Sequence, residues 1–291
     1  MNLAADIALA HRLADAARAA IRPHFRSALI AERKGDASPV TVADRAAEEA
    51  MRRILTAEVP QDGVQGEEFG VHEGRSGRQW VLDPIDGTCA FLAGRPIFGT
   101  LIALLADGFP VLGVIDQPIS GERWLGAAGQ PTTLDGRPVA TRPCRDLAEA
   151  TLATTGPHYF SGTQGEAYMA LAAATDHKRM VMGGDCYNYA MLASGFVDVV
   201  CEAGLKLHDF AALVPVVEGA GGLMCDWNGD PLHGGSAGDV LALGDPARLE
   251  DVLAALHGQP RPEHHPEDHP EDHHAGGSVR RSDTGPDEGG E

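Results

Sequence analysis

The chain has 291 residues, of which 43% are hydrophobic and 22% charged, and its formal net charge is -19. This length can bury a substantial core as one large domain or two coupled ones, and the composition is that of a soluble globular protein. The negative charge argues against nucleic acid or an anionic membrane as the main partner. It argues less strongly against an anionic small substrate, because bound cations can reverse a local field.

The N-terminal segment and the cysteines both favour a cytoplasmic location. The first 25 residues show an amphipathic pattern interrupted by charges, without the continuous apolar run of a signal peptide. No window reaches the roughly 18 apolar residues that a membrane span needs. The five cysteines are scattered and lack CxxC spacing, which fits free thiols in a reducing compartment better than disulfides or a zinc site.

Residues 1–147 read as two helices followed by strands. Apolar residues at helical spacing predict a helix over 3–25. A second helix is predicted from about Val42 to Glu58, opened by Thr41 with Asp44 three residues later in a capping-box pattern. Apolar segments then predict strands, the last with an Asp-Gly turn: QWVLD, GTLIALLAD, FPVLGVID, ERWLGAA and TTLDGRPVAT.

After about residue 147, strands and helices alternate. Strands are predicted at ATLATT, KRMVMGG, VDVVCEA, GLMCDW and DVLALG, and helices near 165–175, 187–195 and 209–219 and up to about 257. The pattern predicts an α+β half over 1–147 and an α/β half over 148–258. We interpret EGAGG (218–222) as a helix C-terminus with its glycine cap, because it follows a helix and not a strand.

The C-terminal segment 259–291 differs in composition from the rest of the chain. It holds five histidines, nine acidic residues and three arginines, and almost nothing apolar. Such a composition cannot offset the entropy of ordering, so the segment is predicted to be disordered. Its histidines offer ligands for transition metals, but a solvated tail is the interpretation we favour.

Two aspartates flank a proline where a hydrophobic strand ends, in WVLDPIDGT (80–88). Proline fixes one φ angle and Gly87 allows a tight turn, so Asp83 and Asp86 can point at one place. Carboxylates suit Mg²⁺, although an Asp-Pro turn with solvated acids is the alternative. Thr88 can begin a short helix whose backbone N–H groups bind phosphate without a basic side chain, which favours phosphoryl transfer.

Other acids are candidates for the same site. Glu67 and Glu68 lie on the glycine-flanked segment QGEEFG, where one of them can complete a metal shell or polarise a water. A solvated acid pair is the alternative. Asp209 is expected at a strand-to-helix junction, where capping the helix is the commonest role of an aspartate, and Asp44 has the same alternative.

In this order, GEE, WVLDPIDGT and a distant aspartate before EGAGG resemble the inositol monophosphatase family of Mg²⁺-dependent, Li⁺-sensitive phosphatases. KGDASPVTVADRAAE (34–48) matches a further family segment, and the resemblance covers about residues 3–256. One departure is His208 before Asp209, where the family often has tryptophan. The resemblance implies a layered αβαβα sugar-phosphatase fold, a homodimer, and hydrolysis of a small phosphate monoester.

The resemblance also implies the roles of individual residues around two or three Mg²⁺ ions. The implied metal ligands are Glu67, Asp83, the Ile85 carbonyl, Asp86 and Asp209. Thr88 paired with Asp44 is implied to orient or activate the attacking water, with Glu67 as the alternative catalytic group. The backbone N–H groups of Gly87 and Thr88 are implied to bind the phosphate.

The second half resembles the histidinol-phosphate phosphatase branch more than the inositol branch. Asp185 stands at the start of a helix where inositol enzymes commonly have a small residue, and Glu202 matches the family's substrate-contacting glutamate. Both acids can give charge-assisted hydrogen bonds to the ammonium and imidazole of histidinol phosphate. Capping the helix is the alternative role for Asp185. The implied substrate contacts are Asp86, Asp185, Asn188, Glu202 and Asp209.

The sequence therefore predicts Mg²⁺-dependent hydrolysis of L-histidinol phosphate, a step of histidine biosynthesis. Inositol 1-phosphate or another sugar phosphate is the alternative substrate. Enzymes for 3′-phosphonucleotides or fructose bisphosphate usually have larger insertions or different second-half signatures. A catalytically silent metal-binding or scaffold protein is an alternative of another class, and the intact set of acids argues against it.

Overall fold

The computed structural model of the protein describes residues 3–27, 32–33 and 39–259. The predicted disordered tail lies outside the described residues from position 260 onward, as does the start of the 34–48 segment. Within the described residues no helix combines the length and apolar character needed to cross a bilayer. Their α-helices are α1 (Ala4–Ile21), α2 (Val42–Glu58), α3 (Thr88–Leu92), α4 (Thr163–Ala174), α5 (Cys186–Ala193), α6 (Leu207–Phe210), α7 (Leu213–Gly219) and α8 (Leu249–Leu256).

The strands of the described residues form one large sheet, one smaller sheet and a short two-stranded pair. The first ten are β1 (Glu32–Arg33), β2 (Pro39–Val40), β3 (Gly63–Gly66), β4 (Gly70–His72), β5 (Arg78–Asp86), β6 (Gly99–Ala106), β7 (Phe109–Asp116), β8 (Arg123–Ala127), β9 (Gln130–Leu134) and β10 (Arg137–Pro138). The others are β11 (Leu152–Thr154), β12 (Val181–Met182), β13 (Val199–Glu202), β14 (Leu223–Asp226) and β15 (Val240–Leu243).

The large sheet has the order β10-β9-β8-β7-β6-β5-β3-β4. Its neighbouring strands are antiparallel except for β3 and β5, which are parallel. Asp135 and Gly136 both have positive φ between β9 and β10, as the predicted Asp-Gly turn requires. The short strands β3 and β4 were not predicted, because their glycine-rich sequences carry little β propensity.

The small sheet has the order β12-β11-β13-β15-β14, and it lies in the second half of the chain. Helices α1 and α2 pack on one face of the large sheet. A second core lies between the two sheets and includes residues of α5, α6 and α7. A third core joins the small sheet to α4 and α8. The layers are therefore α, β, α, β and α, which confirms the predicted architecture.

The helix predicted over 209–219 is in fact two short helices, α6 and α7. Pro215 has no N–H to donate to the carbonyl four residues earlier, so it is tolerated near the start of α7 but not inside a longer helix. Helix α6 begins at Leu207, so Asp209 is its third residue and not its N-cap residue. The helix predicted over 42–58, by contrast, has the predicted bounds, and its capping box is formed by Thr41 and Asp44.

Candidate active site

A β-bulge shapes the Asp-Pro-Ile-Asp segment of β5. The pairing of β5 with β6 shifts register between Asp83 and Asp86. Residues three apart in a regular strand face opposite sides of the sheet, whereas the bulge brings oxygens of both carboxylates within 4.8 Å of each other. Pro84 donates no ladder hydrogen bond, and its carbonyl accepts the Thr100 hydroxyl at 2.7 Å. The predicted convergence of the two aspartates is therefore present.

Two overlapping groups of possible ligand atoms meet at this bulge. Carboxylate oxygens of Asp83, Asp86 and Asp209 lie within 4.8 Å of one another, and so do ligand atoms of Glu67, Asp83 and His208. Burial raises the pKa of Asp83 well above its ordinary value, and the neighbouring charge of Glu67 raises it further. Burial and the charge of Asp185 raise the pKa of Asp86 in the same way. A cation bound at this cluster would therefore stabilise the ionised form of its carboxylates.

The donor set fits a divalent cation that prefers oxygen ligands. A cation would relieve the mutual repulsion that raises the carboxyl pKa values, and carboxylates are the ligands that Mg²⁺ prefers. The Ile85 carbonyl accepts the Thr88 hydroxyl at 3.1 Å and keeps a second lone pair for a metal. His208 supplies the nitrogen of the group. It is 9% exposed and lines the cavity, so it faces the site and not bulk solvent.

The backbone of α6 presents Asp209 to the cluster. Its Oδ2 accepts the backbone N–H of Lys206 at 2.7 Å, while Oδ1 lies 3.5 Å from Nε2 of His208. Burial raises the pKa of Asp209, and the charge of His208 opposes that rise. The Asp209 side chain thus belongs to the capping box of α6 and also to a group of possible metal ligands.

The turn after the bulge has no room for a side chain. Gly87 has a φ of 90°, and a β-carbon there would lie 2.8 Å from Oδ2 of Asp185. Helix α3 begins at the next residue, Thr88, as predicted. The first backbone N–H groups of a helix have no intrahelical acceptor, which suits them to an anion.

The hydrogen bonds of Thr88 and Asp44 differ from the pairing that the family resemblance implied. The Thr88 hydroxyl donates to the Ile85 carbonyl. Oδ2 of Asp44 accepts the Thr41 N–H at 2.9 Å and the Thr41 hydroxyl at 2.5 Å, as a capping box requires. Oδ1 of Asp44 is buried without a hydrogen-bond partner among the described residues. Burial raises the pKa of Asp44 to about 6.

Asp185 does not cap the helix that follows it. It occupies the N-cap position of α5, yet its side chain makes no capping hydrogen bond. Instead Oδ2 of Asp86 accepts the N–H of Cys186, the first residue of α5, at 2.6 Å. The backbone of Asp185 has a φ of 43° and a ψ of -129°, a conformation that non-glycine residues rarely adopt. Burial raises its pKa to about 6. The alternative role considered from the sequence is therefore wrong.

Glu202 lies at the end of β13 and is 2% exposed. Its Oε1 accepts the Thr155 N–H at 2.5 Å, and its Oε2 accepts the Thr154 hydroxyl at 3.3 Å. Burial raises the pKa of Glu202 to about 7. Asn188 is also buried, with Nδ2 unpartnered among the described residues, but it is not one of the residues that line the cavity.

A cavity of about 220 Å³ joins these groups. The lining residues that were not predicted include Tyr159, Tyr189 and Lys206. Tyr189 lies on α5 about one turn after Cys186, so helical periodicity could have predicted that it faces the site. Tyr159 lies in the segment after β11, where no periodic pattern predicts which side chains face the site. Four predicted site residues do not line the cavity: Asp44, Asp83, Ile85 and Asn188. Those that line it are Glu67, Asp86, Gly87, Thr88, Asp185, Glu202 and Asp209.

The chain is similar to known proteins in sequence and in structure. A profile of the inositol monophosphatase family matches residues 2–260. The bifunctional phosphatase IMPL2 of Arabidopsis thaliana is 51% identical over 76% of this chain, which spans 64% of the plant protein's length. The histidinol-phosphatase of Mycobacterium tuberculosis is 40% identical over 80% of this chain and 92% of its own.

Among solved structures, an inositol monophosphatase from Zymomonas mobilis is 50% identical, with a TM-score of 0.81 over 88% of this chain and 99% of its own. The fold and the site together define a phosphatase of a metal-dependent class. The chain belongs to the inositol monophosphatase family.

Proposed function

We propose that this protein hydrolyses L-histidinol phosphate to L-histidinol and phosphate in a Mg²⁺-dependent reaction. The observation that carries the proposal is the freedom of the Asp185 carboxylate. It borders the same cavity as the carboxylate cluster, and it is spared from capping α5 by Asp86. A partly buried carboxylate in that position suits a cationic leaving group.

Histidinol phosphate carries positive charge that complements the acids bordering the cavity. Its ammonium group is cationic at neutral pH, and its imidazole is cationic part of the time. Asp185 and Glu202 both border the cavity, and the pKa values of both are raised by burial. A cation beside them would restore their ionised forms and form charge-assisted hydrogen bonds. A neutral polyol such as inositol gains less from these two groups.

The Mg²⁺ ions, two or three in number, would be held by Asp83, Asp86, Asp209, Glu67 and the Ile85 carbonyl. Bound there, the metal would supply Lewis-acid polarisation of the phosphate and a lower pKa for an attacking water. Phosphate binding and proton transfer would depend on groups of the protein itself.

The phosphate end of the substrate would lie at the start of α3. The backbone N–H groups of Gly87 and Thr88 would bind its oxygens. The Thr88 hydroxyl proton is directed to the Ile85 carbonyl, so its oxygen lone pairs can accept a hydrogen bond from the attacking water. Oδ1 of Asp44 lacks a partner among the described residues, and we propose it as a proton acceptor with Glu67 as the alternative.

The proposal is tested by Mg²⁺-dependent phosphate release from histidinol phosphate, inositol 1-phosphate, fructose 1,6-bisphosphate and 3′-phosphoadenosine 5′-phosphate. We expect kcat/KM for histidinol phosphate to exceed the others by at least about a hundredfold, or about 2.7 kcal/mol of transition-state discrimination. Asp83→Asn protein purified in parallel gives the background of contaminating phosphatases. A flat profile would contradict the assignment of substrate and leave the metal chemistry standing.

Inositol 1-phosphate is the second candidate substrate. The observation in its favour is the 50% identity to the inositol monophosphatase from Zymomonas mobilis. If kcat/KM is highest for inositol 1-phosphate in the same assay, inositol 1-phosphate is the substrate. The homodimer and the cytoplasmic location stay predictions, to be checked by light scattering and by fractionation.

A further inference from the structure

Helix α2 carries a second acid on the face that holds Asp44. Glu48 lies one turn after Asp44 and Arg52 one turn further, so the three side chains share one face of the helix. The Glu48 side chain is fully buried. Buried carboxylates are rare unless they are paired or hydrogen-bonded, so the partners of Glu48 indicate its role.

Both carboxylate oxygens of Glu48 accept hydrogen bonds from the segment between β3 and β4. Oε2 accepts the N–H of Glu68 at 2.7 Å, and Oε1 accepts the N–H of Phe69 at 3.2 Å. Oε1 also accepts a hydrogen bond from Nε of Arg52 at 2.7 Å, and Nη2 of Arg52 donates a hydrogen bond to the Gly70 carbonyl. Helix α2 thus holds three consecutive residues of this segment through charged groups, which make the stronger hydrogen bonds.

The residue that this segment presents to the metal cluster is Glu67. Its backbone N–H donates to the Leu82 carbonyl at 3.2 Å, on the strand that carries Asp83. On the other side, Gly66 packs so closely against Glu48 that a β-carbon would overlap the carboxylate. The backbone on both sides of the Glu67 side chain is therefore anchored, by β5 and by Glu48.

We propose that Glu48 is a positioning residue for the metal centre. It keeps the Glu67 carboxylate close enough to Asp83 for both side chains to bind the same metal ion. This inference rests on the proposed function, in which Glu67 holds a metal ion. Groups that orient metal ligands typically contribute about 10- to 100-fold to metal affinity. Because Asp83, Asp86 and Asp209 do not depend on this segment, loss of Glu48 weakens metal binding and does not abolish it.

The test is Mg²⁺ binding to the metal-free full-length protein, measured by isothermal titration calorimetry. Glu48→Gln replaces one accepting oxygen with an amide that faces a backbone donor, and we expect its Mg²⁺ dissociation constant to rise at least about tenfold. Glu48→Asp keeps the charge but withdraws it from the backbone, and serves if Glu48→Gln folds poorly. Saturating Mg²⁺ should restore most of kcat in either variant.

Asp198→Asn is the matched control. Asp198 is 4% exposed and likewise accepts hydrogen bonds from an arginine, Arg142, and from a backbone N–H, that of Thr151, but it does not line the cavity. Equal loss of Mg²⁺ affinity in both variants would overturn the inference, since it would reflect a loosened fold. If Glu48→Gln binds Mg²⁺ with the wild-type dissociation constant, this inference is overturned and the proposed function is not affected. Wild-type protein that binds no Mg²⁺ would overturn the proposed function and the inference together.

Discussion

Oδ2 of Asp86 accepts a hydrogen bond at 2.6 Å from the backbone N–H of Cys186, one hundred residues further along the chain. Helix α5 is thereby capped by an acid of the first half and not by Asp185 at its own N-cap position. The free N–H groups at a helix N-terminus stabilise a negative charge, so this contact also opposes the rise in the pKa of Asp86. The same bond ties the carboxylate cluster to the helix that presents Asp185.

Asp83→Asn should lower kcat at least about a thousandfold, about 4 kcal/mol, because Asp83 belongs to both groups of possible metal ligands. The metal-free variant should unfold at the wild-type temperature or above it, since the replaced carboxylate is buried and repelled by neighbouring acids. Steady-state kinetics and thermal unfolding in a chelator check both points. Retained turnover would contradict the metal assignment.

Asp185→Asn should raise KM for histidinol phosphate by about 10- to 100-fold, the range expected for one charge-assisted hydrogen bond. The KM for inositol 1-phosphate should change little, because that leaving group is neutral. Both constants are measured on the same preparation, so each substrate controls for the other. Equal effects on the two substrates would remove Asp185 from the recognition of the leaving group.

Tyr189→Phe should raise KM without destabilising the protein. Tyr189 lines the cavity, and its hydroxyl is buried with no hydrogen-bond partner within the described part of the chain, so we expect a bound substrate to serve as its acceptor. Tyr168→Phe is the matched control, because the Tyr168 hydroxyl is equally unpartnered there but lies in the core with α4 and α8.

Kinetics and urea unfolding of the two tyrosine variants give the comparison. Removal of an unsatisfied hydroxyl should leave the free energy of unfolding of both variants unchanged or slightly higher. An unchanged KM in Tyr189→Phe, or a matching rise in Tyr168→Phe, would rule out a contact between Tyr189 and substrate.

Glu202 should make the metal-free protein less stable as pH rises. Its pKa is raised from 4.5 to about 7 by burial, so the folded state binds the proton more tightly than the unfolded chain. The stabilisation is complete below about pH 4.5 and is lost as pH rises through 7. We expect the difference in unfolding free energy between wild type and Glu202→Gln to fall by about 3 kcal/mol across this window.

Urea unfolding at several pH values in a chelator provides this measurement. Contributions of other titrating groups cancel in the difference between the two proteins, provided that they do not contact Glu202. Parallel pH profiles for wild type and Glu202→Gln would show that Glu202 keeps an ordinary pKa in the folded protein.

Local signals in the sequence were enough to predict α2, its capping box, the start of α3 and the convergence of Asp83 with Asp86. Each of these depends on residues within a few positions of one another. The layered architecture followed from the order of strands and helices together with the family resemblance. The break between α6 and α7 was missed, although Pro215 is a local signal for it.

Contacts between distant segments were decided only by the tertiary structure. The sequence placed Asp185 at a helix start but could not tell a capping residue from a cavity residue, because the choice depends on Asp86 one hundred positions earlier. The role of Glu48 was equally invisible, since a helix acid is normally solvated and only the packing of α2 against Gly66 buries it. The sequence by itself determined which acids are present and the local turns that carry them. Packing alone decided which acids meet, and that α5 takes Asp86 and not Asp185 as its cap.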